Sequence, residues 1–316
     1  MSRVSDNDKK AATRIFKDAV PLLEQPEALR ERAEKDGYLF FKGLLDKNEL
    51  RQARSQMLHV MKQWGLLSSQ HAIEEGIGDH EAINKLSLES FRGYGVPWEL
   101  YKQVQRLESF HELAHQPALL GAFRTLFDCE VLPHPRNIAR IVMPHRELKA
   151  TPSHQDFIHI QGTPVTWTAW FPLGDCPREL GGLSMLEGSY KSGVLGVTEH
   201  GGAGGLESVL CNMDLEWAEG DYEIGDVIIF HSHTVHKALP NQQGNQIRLS
   251  CDFRYQPAHL PIDRGSLQPH GGEAVLPWEE VYEGWMNDNL KYYWKELPLQ
   301  LSDWDENVRW QKEKIC

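Results

Sequence analysis

The chain lacks any apolar run of about 18 residues, so nothing in it reads as a membrane span. Its opening stretch, MSRVSDNDKKAATRIF, has no apolar segment of the kind a signal peptide needs. Cysteine is sparse: Cys129, Cys176, Cys211, Cys251 and Cys316 are scattered, odd in number and without a CxxC pair. That spacing offers no zinc or disulfide framework and predicts a reducing, cytoplasmic location. Basic residues are in deficit, with 33 Lys and Arg against 45 Asp and Glu and a formal net charge of −12. Such a balance argues against a nucleic-acid surface or an anionic membrane as partner. No repeat of fixed period and no low-complexity segment is present. What is there is ordinary globular composition, 41% hydrophobic and 25% charged, on a chain of 316 residues that is ample for a core.

Apolar periodicity predicts helix over most of the first ~110 residues. Asp46 to Trp64 is the clearest stretch, with Leu50, Ala53, Met57, Val60, Met61 and Trp64 on one stripe. Asp46 with Glu49 resembles a capping box there, and Gly65 is a stop signal. YLFFKGLL, just before it, reads as a buried strand. From about Glu130 the pattern changes to short strand-like runs separated by Pro and Gly clusters: VLPHPRNIARIVMP, VTWTAWFPLGD, GLSMLEGSY, GDVIIFHSH and QIRLSCDFRYQP. Beyond Pro277 the chain reads as helical again, with Trp278, Tyr282, Trp285 and Trp294 prominent. The expected fold is α+β: one domain over 1–316, mainly helical over 1–128, with a jelly-roll core over 129–258 and a helical extension over 259–316. The aromatic stripe at the C-terminus reads most simply as a helix packed on that core; a homodimer contact or an entrance wall for substrate are the alternatives.

The chemistry concentrates in four places. In TPSHQDFIHI, His154 and Asp156 stand two apart, which on a β-strand places both on one face. GDVIIFHSHTVHKALPN supplies His231, His233 and His236, of which His236 is the expected third ligand. Two imidazoles and one carboxylate form the facial triad used for non-haem Fe(II), leaving coordination positions open for chemistry. Arg248 follows, and a planar guanidinium can grip a carboxylate bidentately. With Ser250 on the same face, it would hold the distal carboxylate of a 2-oxo diacid whose other end chelates the metal. Trp170 in TWTAWFPLGD would wall off that co-substrate, with Thr168 beside it and Thr151 in the loop before the metal motif. His145 and Glu147 form a competing HxE pair, in a charged stretch between two prolines that reads as loop. EHGGAGGLESV lacks the strand-before, helix-after context of a nucleotide loop and reads as a loop between strands. Arg254 shares the face of Arg248 and could meet an anionic substrate, with a structural pair to Asp252 as the plainer reading; Arg140 and Asn137 are similarly open.

These residues resemble the phytanoyl-CoA dioxygenase family of Fe(II)- and 2-oxoglutarate-dependent oxygenases over roughly residues 35–257. KDGYLFFKGLLDKNEL is similar to the family's opening strand and helix, SHQDF to its proximal metal motif, and HTVHKALPNQQGNQIRLSCDFRYQP to its distal histidine and co-substrate arginine region. The resemblance implies a double-stranded β-helix (cupin-like) core flanked by helices. It also implies Fe(II) on His154, Asp156 and His236, 2-oxoglutarate on Arg248, and O2 as the second co-substrate. Some members carry a hydroxyl residue two places after the distal histidine; Ala238 stands there, and Ser250 would compensate. A carboxylate at Asp156 favours hydroxylation over halogenation. The expected activity is therefore hydroxylation of a small organic molecule with release of succinate and CO2. The rivals are a non-catalytic cupin-like small-molecule-binding protein and a zinc-dependent hydrolase or isomerase, neither of which explains Arg248 beyond the distal histidine.

Overall fold

The computed structural model describes residues 13–91, 93–145, 147–201, 204–211 and 213–309. The first twelve residues, part of the stretch expected to be helical, and the tail from 310, including Cys316, lie outside the described residues. The helices that frame the fold are α1 (Pro26–Asp36), α2 (Lys47–Gln63), α3 (His80–Lys85), α4 (Trp98–Gln105), α5 (Glu108–Glu112) and α6 (Pro117–Phe127). The leading strands are β1 (Thr13–Ile15), β2 (Tyr38–Phe41), β3 (Val131–Pro133), β4 (Ile138–Val142), β5 (Trp167–Pro172) and β6 (Leu183–Leu186). They are followed by β7 (Val197–Glu199), β8 (Leu206–Ser208), β9 (Trp217–Glu219), β10 (Val227–His231), β11 (His236–Ala238) and β12 (Arg248–Pro257). A four-residue helix, α7 (Phe157–Ile160), interrupts the chain between β4 and β5.

Two sheets result. One has six strands in the order β2-β10-β5-β12-β3, with β4 also on β12, and the other has four in the order β1-β9-β6-β11. Every pairing in the six-stranded sheet is antiparallel. Side chains alternate across its strands, so each strand serves two layers. Leu39, Phe41, Ala169, Phe171, Val227, Ile229, Cys251, Phe253 and Tyr255 face α2, α4, α5 and α6 and form the larger core with them. There Phe123 stacks on Tyr255 at 4.2 Å between ring centroids and Phe110 meets Phe253 edge-on at 5.3 Å. The opposite residues Tyr38, Phe40, Trp170, Ile228 and Phe230 pack on Leu183, Met185 and Ala218 of the other sheet. The site lies in this second layer, between the sheets.

Several expectations need correction. Residues 13–15 are not helical; β1 pairs in parallel with β9 and extends the smaller sheet. Asp46 caps α2 by accepting from the Asn48 and Glu49 amides, but its own amide goes to Gln116, so the box is half-formed. Trp64 lies at the surface, 38% exposed. EHGGAGGLESV, in contrast, keeps its reading as a loop between strands: it joins the antiparallel pair β7 and β8, with Gly202 and Ala203 outside the described residues. The C-terminal segment, expected as a helical extension, forms short pieces: α-helical turns at Trp278–Val281 and Glu306–Arg309, 3-10 turns at Arg264–Leu267, Asp288–Leu290 and Tyr293–Glu296, and a strand pair of Ile262–Asp263 with Leu301–Ser302. The aromatic stripe nevertheless clusters: Trp278, Tyr282, Trp285 and Trp294 pack with Leu132 and Ile262. Cys211 is disulfide-bonded, contrary to the all-thiol reading of the cysteines. No helix among the described residues is long and apolar enough to cross a membrane.

Buried histidines tie these layers together. His111 reaches the Gln105 carbonyl at 2.9 Å and the Asn137 amide at 3.1 Å, and His134 meets Gln256 at 2.9 Å. Burial pushes His111 and His115 down to about 4 and His134 to about 3, so all three fold as neutral imidazoles. The unfolded chain takes up their protons below about pH 6.5, and the folded chain does not until nearer pH 4. Stability is therefore full above that range and falls with acid. The melting temperature of the metal-free protein should drop by roughly 5–10 °C between pH 7 and pH 5; scanning calorimetry showing a flat profile over this window contradicts the account.

Candidate metal centre

His154 and His236 are paired across an isolated β-bridge, each donating its amide to the other's carbonyl, at 2.9 and 3.0 Å. This bridge, and not a regular strand, sets the position of His154. Asp156 has helical backbone angles and stands at the N-terminus of α7. The same-face strand geometry expected for the HxD pair is thus wrong, although the two side chains do converge: a turn brings them together. His154 Nε2 lies 3.6 Å from Asp156 Oδ1, and His236 Nε2 lies 3.7 Å from the same oxygen. The imidazole centroids are 4.2 Å apart. All three side chains are buried, and they form a group whose candidate ligand atoms lie within 4.8 Å of one another.

The remaining atoms of each group are tied elsewhere. His154 Nδ1 is 2.8 Å from the Pro152 carbonyl and His236 Nδ1 is 3.1 Å from that of Thr234. A carbonyl can only accept, so each Nδ1 carries the proton and each Nε2 lone pair points toward Asp156. Thr168 donates to Asp156 Oδ2 at 2.6 Å, and Arg254 reaches that oxygen at 3.5 Å. Oδ1 is left facing the two imidazoles. Burial alone would raise the Asp156 pKa, but Arg254 and then the two histidines outweigh it and hold the carboxyl well below the usual range. Burial pushes His236 down to about 4, with the His154 ring adding to the shift. A charged carboxylate facing the Nε2 atoms of two imidazoles is the donor set that a divalent first-row metal uses.

Arg248, at the start of β12, lies on the sheet face that meets Trp170, with its guanidinium 5.6 Å from the Trp170 ring centroid. It donates to the Gly181 carbonyl, and its Nε is buried without a partner. No acidic side chain among the described residues forms an ion pair with it. A buried, unpaired guanidinium is costly unless an anion completes it. Gly181 supports this contact at φ +92°, where an added Cβ would stand 2.5 Å from the Leu239 carbonyl; only glycine suits such a place. Ser250 follows on the same face and reaches the Arg140 carbonyl at 3.5 Å.

Thr168, expected beside the co-substrate, instead hydrogen-bonds the Asp156 carboxylate. Thr151 accepts the Ala238 amide through its carbonyl at 3.1 Å, beside the end of β11. His145 is not part of the cluster; its ring lies against Phe91 at 5.3 Å. His231 and His233 are not part of the cluster; the His233 amide donates to His231 Nδ1 at 3.0 Å, and their rings lie against Trp167 and Phe157 respectively. Arg140 pairs with Asp252 at 2.6 Å. Arg136 and His159, which sequence reasoning passed over, line a cavity of about 440 Å³ beside the cluster. His159 lies three residues after Asp156 in a four-residue helix, and Arg136 lies in a loop; neither position has a periodic signal.

The chain resembles known proteins in sequence and in fold. The family model described as Phytanoyl-CoA dioxygenase (PhyH) matches residues 33–249. The chain is 28% identical over 280 residues to 1-deoxypentalenic acid 11-beta-hydroxylase of Streptomyces exfoliatus, covering 84% of this chain and 90% of the relative. It is 27% identical over 280 residues to the enzyme of the same name from Streptomyces arenae, with the same coverage. Among solved structures, the non-heme alpha ketoglutarate dependent epimerase SnoN from nogalamycin biosynthesis shares the fold. Its TM-score is 0.50 at 19% identity, over 75% of this chain and 85% of that one.

Replacing Thr168 by valine removes the donor to Asp156 Oδ2 and keeps the side-chain shape. Partners of this kind typically govern metal affinity by 10–100-fold. Thr168→Val should therefore weaken Fe(II) affinity by at least about tenfold with little change in fold, as read by competition against a chelating dye; unchanged affinity contradicts the role assigned to that hydrogen bond.

Proposed function

The chain belongs to the phytanoyl-CoA dioxygenase family and is an Fe(II)- and 2-oxoglutarate-dependent dioxygenase, and we propose that it hydroxylates an aliphatic carbon of a small organic molecule. The observation that carries this reading is the convergence of two imidazole nitrogens and one carboxylate oxygen, each steered by a hydrogen bond at its other polar atom. His154, Asp156 and His236 are the proposed iron ligands. Three protein donors leave coordination positions for 2-oxoglutarate and O2. When bound, the metal supplies the redox chemistry that couples decarboxylation of 2-oxoglutarate to oxidation of substrate.

The chain's own residues do the rest. Arg248 is proposed to bind the distal carboxylate of 2-oxoglutarate, with Ser250 beside it and Trp170 closing one side. Thr168 and Arg254 orient Asp156 so that one oxygen stays free for the metal. Apolar walls from Phe230 and Trp170 keep bulk water from the reacting atoms. The two facing sheets are read as a double-stranded β-helix, the jelly-roll core, with helices on one side and aromatic turns at the C-terminal end, all in one domain. From the hydroxylases of Streptomyces only the reaction type is carried over, because identity near 28% supports a shared class of chemistry and not a shared substrate. A carboxylate ligand at Asp156 supports hydroxylation against halogen transfer.

Anaerobic titration with Fe(II) and 2-oxoglutarate tests the assignment. The protein should develop a weak visible charge-transfer band that is absent in His154→Ala. In Arg248→Ala, 2-oxoglutarate affinity should fall about 30-fold or more, since truncating one partner of a buried charge pair costs about 2–5 kcal/mol. A band that survives loss of His154 contradicts the ligand set.

A further inference from the structure

Beside the metal cluster is a cavity of about 440 Å³, lined among others by Tyr94, Arg136, His159, Asp263, Gln268 and His270. It adjoins the cluster through α7, which begins right after Asp156 and carries His159. The His159 and His154 rings are 6.0 Å apart. At about 30 Å³ per water-sized group, the space takes roughly 15 non-hydrogen atoms.

The charges around it are unevenly satisfied. Arg140 commits both Nε and Nη2 to Asp252. Arg254, 3% exposed, shares Nη2 between Asp156 and Asp252, and its Nε and Nη1 are buried without partners. Arg136 makes its two hydrogen bonds from Nη1 alone, to the carbonyls of Gly265 and Pro269 at 3.2 and 3.1 Å. Among the described residues it forms no ion pair. Asp263, in the same cavity, already accepts the Gly265 amide at 2.8 Å. His270 registers the resulting positive field: burial first, and then Arg136, Arg140 and Arg254, hold it well below its ordinary pKa.

We propose that this cavity binds the substrate and that Arg136, in the field of Arg254, takes the substrate's carboxylate. The substrate class is thus a small monocarboxylate bearing polar groups for Gln268 and Asp263, held with its oxidisable carbon toward the metal. This carboxylate is distinct from that of 2-oxoglutarate, which is proposed on Arg248: Arg248 stands at the start of β12 beside Trp170 and does not line the cavity. The inference rests on the iron and 2-oxoglutarate reading of the neighbouring cluster. A guanidinium fork recognises a carboxylate bidentately, and an amide of the same shape cannot supply the charge.

The test uses the whole chain loaded with Fe(II) and 2-oxoglutarate under nitrogen, so that Arg248 is occupied. Calorimetric titration compares 4-hydroxyphenylacetate with its primary amide as probes. The acid should bind at least tenfold more tightly than the amide. That preference should vanish in Arg136→Gln, whose visible Fe(II)–2-oxoglutarate band should persist. Because Arg136 also braces two loop carbonyls, Gln268→Glu provides a second variant that leaves those contacts intact. It should weaken acid binding about tenfold and leave the amide unchanged. No preference for the acid in the unaltered protein, including no binding of either probe, overturns the proposal, as does a preference retained in both variants. Failure of the visible band in the unaltered protein would instead overturn the iron reading.

Discussion

The two oxygens of Asp156 do different work, and the site depends on that division. Oδ2 is held by Thr168 and Arg254, from strands β5 and β12 of the larger sheet. Oδ1 is turned toward two Nε2 lone pairs whose rings are fixed by backbone carbonyls. A carboxylate free to rotate would offer either oxygen to the metal or to Arg254, and the ligand set would have no unique geometry. Anchoring one oxygen converts a flexible acid into a directed donor, as supporting hydrogen bonds commonly do around metal ligands.

Strand β12 carries this constraint into the fold. All ten of its residues are buried, yet its two faces are unlike. Leu249, Cys251, Phe253 and Tyr255 pack against the helices, while Arg248, Ser250, Asp252 and Arg254 alternate with them on the side facing the smaller sheet. Burying four polar or charged side chains in a row would destabilise an ordinary sandwich. Here the row is tolerable because its charges have partners: Asp252 pairs with Arg140 of β4 and with Arg254, Arg254 also reaches Asp156, and by the proposals above a co-substrate completes Arg248. The apolar face supplies the stability that lets the charged face exist. Structure and function are thus written on alternate residues of one strand.

Much of this was legible in the sequence, for physical reasons. A period of two marked the strands, and the switch from helical periodicity near Glu130 marked the boundary between the helical layer and the sheets. The donor types of His154, Asp156 and His236, with Arg248 following, indicated the chemistry before any coordinates. What was not legible depended on long-range pairing. The bridge of His154 to His236 and the turn at Asp156 have no local signature, so the ligands were expected on a regular strand. Thr168 looked like a pocket wall because its partner lies twelve residues earlier, across a loop and a short helix. Residues 13–15 became a strand only because β9 offered an edge. The C-terminal aromatics showed helical spacing, but they satisfy it through short turns packed on Leu132 and Ile262.

The central claim is that the triad, and nothing else from the protein, holds the iron. A crystal structure of the protein loaded anaerobically with Fe(II) and 2-oxoglutarate, with iron located by its anomalous scattering, tests it most directly. The account predicts one iron within ~2.2 Å of His154 Nε2, His236 Nε2 and Asp156 Oδ1, with the far carboxylate of 2-oxoglutarate on Arg248. Iron bound elsewhere, or a fourth protein donor on the same ion, would contradict it.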